Sequence, residues 1–146
     1  MGKYRKQSHV IYKCDYHIVW VPKYRYRVLK GAIKELVTQD IVLLCDRKSC
    51  EVIELNVQED HVHLLVSVPP KVSISTLMGV LKGKLAIKLF KSYPSFKQKP
   101  YWGNHFWARG YFVNTVGLDE EMIKKYVKYQ EKEENRIELE QKKFDF

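Results

Sequence analysis

Residues 51–68, EVIELNVQEDHVHLLVSV, decide the fold. From Glu51 to Gln58 apolar and polar side chains alternate at period two, with one break at Val52-Ile53, and a second alternating run covers 61–68. Glu59-Asp60 turns the chain between them, which predicts an antiparallel hairpin. Successive side chains on a strand point to opposite faces. If Val62, Leu64, Val66 and Val68 enter a core, then His61, His63, Leu65 and Ser67 share the other, open face. Same-face neighbours lie roughly 7 Å apart, near enough for two imidazoles to converge on one ion. Taken alone, an HxH pair more often only flanks a turn, so the rest of the chain has to decide between the two.

Working outward, residues 9–21, HVIYKCDYHIVWV, are rich in β-branched and aromatic types and stop at Pro22, which predicts one long first strand. From Gly31 the apolar residues Ile33, Leu36, Val37, Ile41, Leu44 and Cys45 recur at three and four, the stripe of an amphipathic helix. Beyond Pro69-Pro70, Ser73 is placed to cap a second helix. Its apolar stripe is Ile74, Leu77, Met78, Leu81, Leu85 and Leu89, with Lys84, Lys88 and Lys91 on another face. Tyr93 to Pro100 reads as a loop. Residues 109–116 read as a fourth strand ended by Gly117, and Asp119 is placed to cap a final helix. The order β-α-β-β-α-β predicts an α+β, ferredoxin-like domain over 1–146, with a four-stranded antiparallel sheet, two helices on one face, the other face free, and an added C-terminal helix that bears tyrosine.

A chain of 146 residues fits one domain. It has no run of eighteen apolar residues and no secretory signal, so membrane insertion and export are not expected and the cytoplasm is. Cys14, Cys45 and Cys50 are odd in number and unpaired by spacing, which fits reduced thiols rather than a disulfide framework or zinc ribbon. The net charge of +9 is unevenly placed. Residues 1–30 hold eight basic side chains and one acidic, and residues 71–110 hold eight basic and none acidic. An acid-free stretch of that length points to a polyanion such as nucleic acid.

The final helix bears on the histidines. In "KKYVKYQ", Tyr126 precedes Gln130 by four residues, so phenol and carboxamide project from one face a turn apart. A neutral amide oxygen can complete a two-histidine site for a hard divalent cation such as Mg²⁺ or Mn²⁺, leaving positions for phosphate oxygens. Each residue alone reads more simply, Tyr126 as a core aromatic and Gln130 as a solvated position. It is their combination with HxH and the charge that shifts the balance.

Together, "CDYHIVWVPKYRYRVL", "EDHVHLLVSVPP", "SISTLMGVLKGKLA", "FWARGYFVNTVG" and "YVKYQ" resemble the IS200/IS605 transposases, single-tyrosine members of the HUH nuclease group, over nearly the whole chain. Val62 fills the bulky apolar position between the histidines. The resemblance implies a metal-dependent endonuclease and strand transferase that cuts and rejoins single-stranded DNA at mobile-element ends through a 5′-phosphotyrosine. It implies His61, His63 and Gln130 as ligands of Mg²⁺ or Mn²⁺, Tyr126 as nucleophile, and subterminal DNA hairpins as the recognised partner. It also implies a homodimer in which one subunit's tyrosine helix can complete the other's metal site. Tyr129 is a neighbouring phenol, but the spacing to Gln130 selects Tyr126.

Charge further suggests Lys84, Lys88, Lys91, Arg25, Arg27 and Arg109 as phosphate partners, and Trp102, His105, Phe106 and Trp107 either as stacking surfaces for bases or as packing residues. Two other readings compete. One is a domesticated relative that processes repeated chromosomal hairpins. The other is a non-catalytic RNA-binding module, whose sheet face would carry stacking aromatics where this one carries histidines.

Overall fold

The computed structural model describes residues 4–98, 105–115 and 120–144, with the side chains of the last helix described from 123 to 137. Trp102, Gly117 and Asp119, to which the sequence assigned roles, lie outside the described residues. The strands are β1 (Arg5–Gln7), β2 (Val10–Tyr12), β3 (Asp15–Trp20), β4 (Glu51–Gln58), β5 (His61–Ser67) and β6 (Phe112–Asn114). The helices are α1 (Gly31–Arg47), α2 (Ile74–Ser92) and α3 (Glu120–Phe144).

The long strand expected over 9–21 is two. Ser8-His9, with His9 in the left-handed region at φ 64°, turns β1 back against β2, and β3 begins at Asp15. Val10 and Ile11 therefore form the outer arm of a small exposed hairpin. β-branched composition signals extended backbone in both places and carries no mark of the break at Lys13-Cys14. The fourth strand is also shorter than expected, three residues at Phe112–Asn114.

The main sheet runs β4-β5-β3-β6, antiparallel at every pairing, which is the ferredoxin-like order. One face is covered by α1 and α2. Ile18, Trp20, Val62, Leu64 and Val66 meet Val37 and Ile41 of α1 and Leu77, Leu81 and Leu85 of α2, all buried. Each fully buried aliphatic side chain contributes about 1.5–3 kcal/mol relative to exposure. Ser73 caps α2 as its sequence position suggests, its hydroxyl oxygen accepting from the Thr76 N–H at 3.1 Å.

The opposite face is not free, contrary to the sequence reading. Val19, Val21 and Ala108 form a second buried cluster with Ile123 and Val127, against which Phe112 and Tyr126 pack. Helix α3 thus lies across the histidine-bearing face. Its apolar positions, spaced one turn apart, need a surface, and the outward residues of β3 supply it. No described helix is long and apolar enough to cross a membrane.

Candidate active site

His61 and His63 sit on β5, between β4 and β3, with His63 opposite both Asn56 and Val19. Both open on a cleft of about 430 Å³ that is also lined by Asn56, Gln58, Lys124 and Lys128. Each imidazole has a polar neighbour at one ring nitrogen. Asp60 Oδ1 lies 2.9 Å from His61 Nδ1. His17 Nδ1 lies 3.3 Å from His63 Nε2, the two rings 5.5 Å apart. His17 is only 5% exposed, and its contact with His63 is part-buried.

Sequence reading did not single out His17 or Asp60 as site residues. Alternation in β3 does put His17 on the face of Val19, since Ile18 and Trp20 enter the core. Only the pairing register brings it beside His63. Asp60 was read as part of a turn, although a carboxylate next to a metal-type histidine is a recurrent pairing.

The segment after β3 docks the last helix. Tyr24 and Arg25 both take left-handed backbone, φ 57° and 54°, an uncommon state for residues other than glycine. The turn aims the Tyr24 N–H at Glu134 Oε2, 2.8 Å away, and lets the Arg25 guanidinium bridge two carboxylates. Its Nε is 3.4 Å from Asp60 Oδ2, and its Nη2 is 3.3 Å from Glu131 Oε2. Burial holds the Glu134 carboxyl above its ordinary range, opposed by the Tyr24 N–H and by Lys23 and Lys82. Lys82 Nζ donates to the carbonyls of Ala108 and Gly110, at 2.8 and 3.0 Å, fixing the entry to β6. Burial lowers its pKa, and Glu134 partly restores it.

Tyr126 and Gln130 share a face of α3, as their spacing requires, but it is not the face that lines the cleft. At roughly 100° per residue, Tyr126 and Lys128 project to nearly opposite sides of the helix. Lys124 and Lys128 face the histidines, while Tyr126 packs on Phe112 with ring centroids 5.9 Å apart. Gln130 Nε2 stands 3.9 Å from where a Cβ on Gly110 would be. Desolvation raises the Tyr126 pKa well above that of an ordinary phenol. The Gln130 carboxamide draws it partly back, and the charge of Glu134 pushes it up again. No hydrogen bond of regular geometry reaches the buried phenol oxygen among the described residues. Tyr129 is by contrast 56% exposed.

Among the described residues, no three His, Cys, Asp or Glu side chains group as a metal site. The imidazole pair still suits a hard divalent cation whose other positions are taken by water, phosphate oxygens or a carboxamide. His61 has the right chemistry for it, since its Nδ1 faces a carboxylate.

The basic residues divide. Lys84, Lys91, Arg27 and Arg109 are exposed. Lys88, also exposed, is matched by Asp40 at 2.7 Å, and Arg25 lies between Asp60 and Glu131, so these two already face carboxylates of this chain. Of the aromatics, Phe106 and Trp107 are packing residues. They are 1% and 7% exposed, with ring centroids 4.7 Å apart, and Phe106 also meets Phe90 and Phe96. His105 is exposed.

Residues 10–130 match the family described as "Transposase IS200 like", and the chain belongs to that family. It is 38% identical over 134 residues to a Salmonella typhimurium transposase for insertion sequence element IS200, covering 92% of this chain and 88% of that one. It is 34% identical over 131 residues to the ISDra2 transposase TnpA of Deinococcus radiodurans, covering 89% and 93%. Among solved structures, that of a Deinococcus radiodurans R1 protein described as a transposase superposes with a TM-score of 0.76 at 30% identity, over 86% of this chain and 97% of that one. A REP-associated tyrosine transposase bound to a REP hairpin shares the fold, with a TM-score of 0.55 at 14% identity over 88% and 70%.

Proposed function

We propose that this transposase cuts and rejoins single-stranded DNA at the ends of a mobile element. The observation that carries the reading is the histidine pair on a sheet face crossed by the tyrosine helix, in a cleft to which Lys124 and Lys128 add positive charge. The Tyr126 oxygen attacks phosphorus in line, the phosphorus–O3′ bond breaks, and the 3′ oxygen leaves as a hydroxyl once protonated. The 5′ phosphate stays on tyrosine, so a 3′ hydroxyl can reverse the step without ATP. His61 and His63, with Gln130, would hold Mg²⁺ or Mn²⁺, which when bound neutralises and polarises the scissile phosphate. Lys124 and Lys128 attract the strand's phosphates into the cleft.

Within one chain Tyr126 turns toward Phe112 and away from the cleft, which supports a site assembled between two subunits of a homodimer, the helix of one serving the histidines of the other. DNA hairpins near the element's ends are the proposed recognition feature. A tyrosine transposase of the same fold has been solved bound to a REP hairpin. The RNA-binding alternative loses ground because Ile123 and Val127 occupy part of the sheet face on which bases would stack.

Incubating the protein with hairpin-bearing single strands and Mg²⁺ tests the proposal. The wild type is expected to form a denaturant-resistant protein–DNA adduct. Tyr126→Phe is expected to bind the same strand without forming one, and an adduct with that variant would assign the nucleophile elsewhere, Tyr129 first.

A further inference from the structure

We propose that Asp60, braced by Arg25, is a positioning residue that fixes His61 as its Nδ1–H tautomer and so turns an unprotonated Nε2 toward the cleft. The inference deepens the reading of His61 as a metal ligand and rests on it for its purpose, though not for its test.

A neutral imidazole carries one N–H and one lone pair, and a cation takes the lone pair. A carboxylate can only accept, so the nitrogen it faces must carry the proton. Asp60 Oδ1 faces His61 Nδ1 at 2.9 Å, which leaves the lone pair on Nε2. Both side chains are about three-quarters withdrawn from water, at 21% and 24% exposure, so solvent competes weakly for either partner.

The carboxylate is itself held. Its other oxygen, Oδ2, faces Arg25 Nε at 3.4 Å, and the guanidinium is fixed from the far side by Glu131 of α3 at 3.3 Å. The left-handed backbone of Arg25 places it between the two acids. The adjoining turn is pinned as well, the Leu29 N–H donating to the Glu59 carbonyl at 3.0 Å. A chain of charge-assisted contacts therefore runs from the tyrosine helix through Arg25 and Asp60 to His61. An ion pair serving stability alone would not need its second oxygen on an imidazole.

Asp60→Asn is the discriminating variant, because it preserves size and shape. Arg25 can only donate, so the new amide must turn its oxygen to the guanidinium and its NH₂ to His61. Nδ1 then has to accept, and the proton moves to Nε2, blocking the outward lone pair. Long-range ¹⁵N–¹H spectra of the metal-free protein, at a pH where His61 is neutral, read the tautomer directly. Mn²⁺ titration without DNA reads the consequence.

The expected result is Nδ1–H in the wild type, Nε2–H in Asp60→Asn, and Mn²⁺ affinity lower by roughly 10–100-fold in the variant. An unchanged melting temperature would show that the fold is retained. A wild-type Nε2–H tautomer, or a variant with the wild-type tautomer and affinity, would overturn the inference. Should the tautomers switch as expected while the wild type binds Mn²⁺ no better than His61→Ala, the role given to Asp60 stands and the metal-ligand reading falls.

Discussion

The Tyr126 ring lies 5.9 Å from that of Phe112, tilted by 46°, and its hydroxyl is buried on the side of α3 turned away from the cleft where His61 and His63 open. Tyr126 and the two histidines are thus separated within a single chain by the helix that carries the tyrosine. The packing that fixes α3 on the sheet keeps them so.

Burial of Tyr126 has a consequence at alkaline pH. Its folded-state pKa is raised, mainly by desolvation, above the value of about 10 for an unfolded phenol. The stability it contributes is therefore whole below that pH and is lost as pH rises through the folded-state value, because the unfolded chain ionises first. Urea midpoints from about pH 9 to 11 should fall more steeply for the wild type than for Tyr126→Phe. Parallel curves would show that the phenol is not desolvated.

Glu134 anchors α3 to the turn at Tyr24, accepting from its N–H at 2.8 Å. In Glu134→Ala that donor loses its partner at a partly buried position, at a cost of about 1–3 kcal/mol to the docking of the helix. Amides of residues 123–137 should exchange faster with solvent while those of β5 and α2 do not. Uniform acceleration would mean that the contact supports the whole fold instead.

Lys84 and Lys91 stand exposed on α2, whereas Lys88 is matched by Asp40. Replacing either exposed lysine by alanine should weaken hairpin binding and reduce the slope of log affinity against log salt by about 1 if that lysine meets a phosphate. Lys88→Ala should change the slope less, since its charge is already matched. Equal slopes for all three variants would show that Asp40 does not withhold Lys88 from DNA.

The fold was readable where one periodicity excluded another. The hairpin at 51–68 and the stripes of α1 and α2 each fit one pattern only, and the ferredoxin-like order followed from them. The split between β2 and β3 was not readable, because Val10, Ile11, Ile18 and Val19 give the same strand signal on either side of it. Nor was the covering of the histidine face, which depends on where a terminal helix docks rather than on its own pattern. At the site, local spacing placed His61 with His63 and Tyr126 with Gln130, since strand and helix geometry fix those pairs. His17 beside His63 and Arg25 beside Asp60 depend on register and on a left-handed turn, neither of which is written in local spacing.

The most direct measurement mixes two inactive subunits. Tyr126→Phe retains the histidines, and the double variant His61→Ala, His63→Ala retains the tyrosine. If helix and histidines come from different subunits, each mixed dimer holds one intact site, and random pairing should restore roughly a quarter of wild-type adduct formation on hairpin-bearing single strands with Mg²⁺. No activity from mixtures shown to contain mixed dimers, with the wild type active alongside, would contradict assembly of the site between subunits.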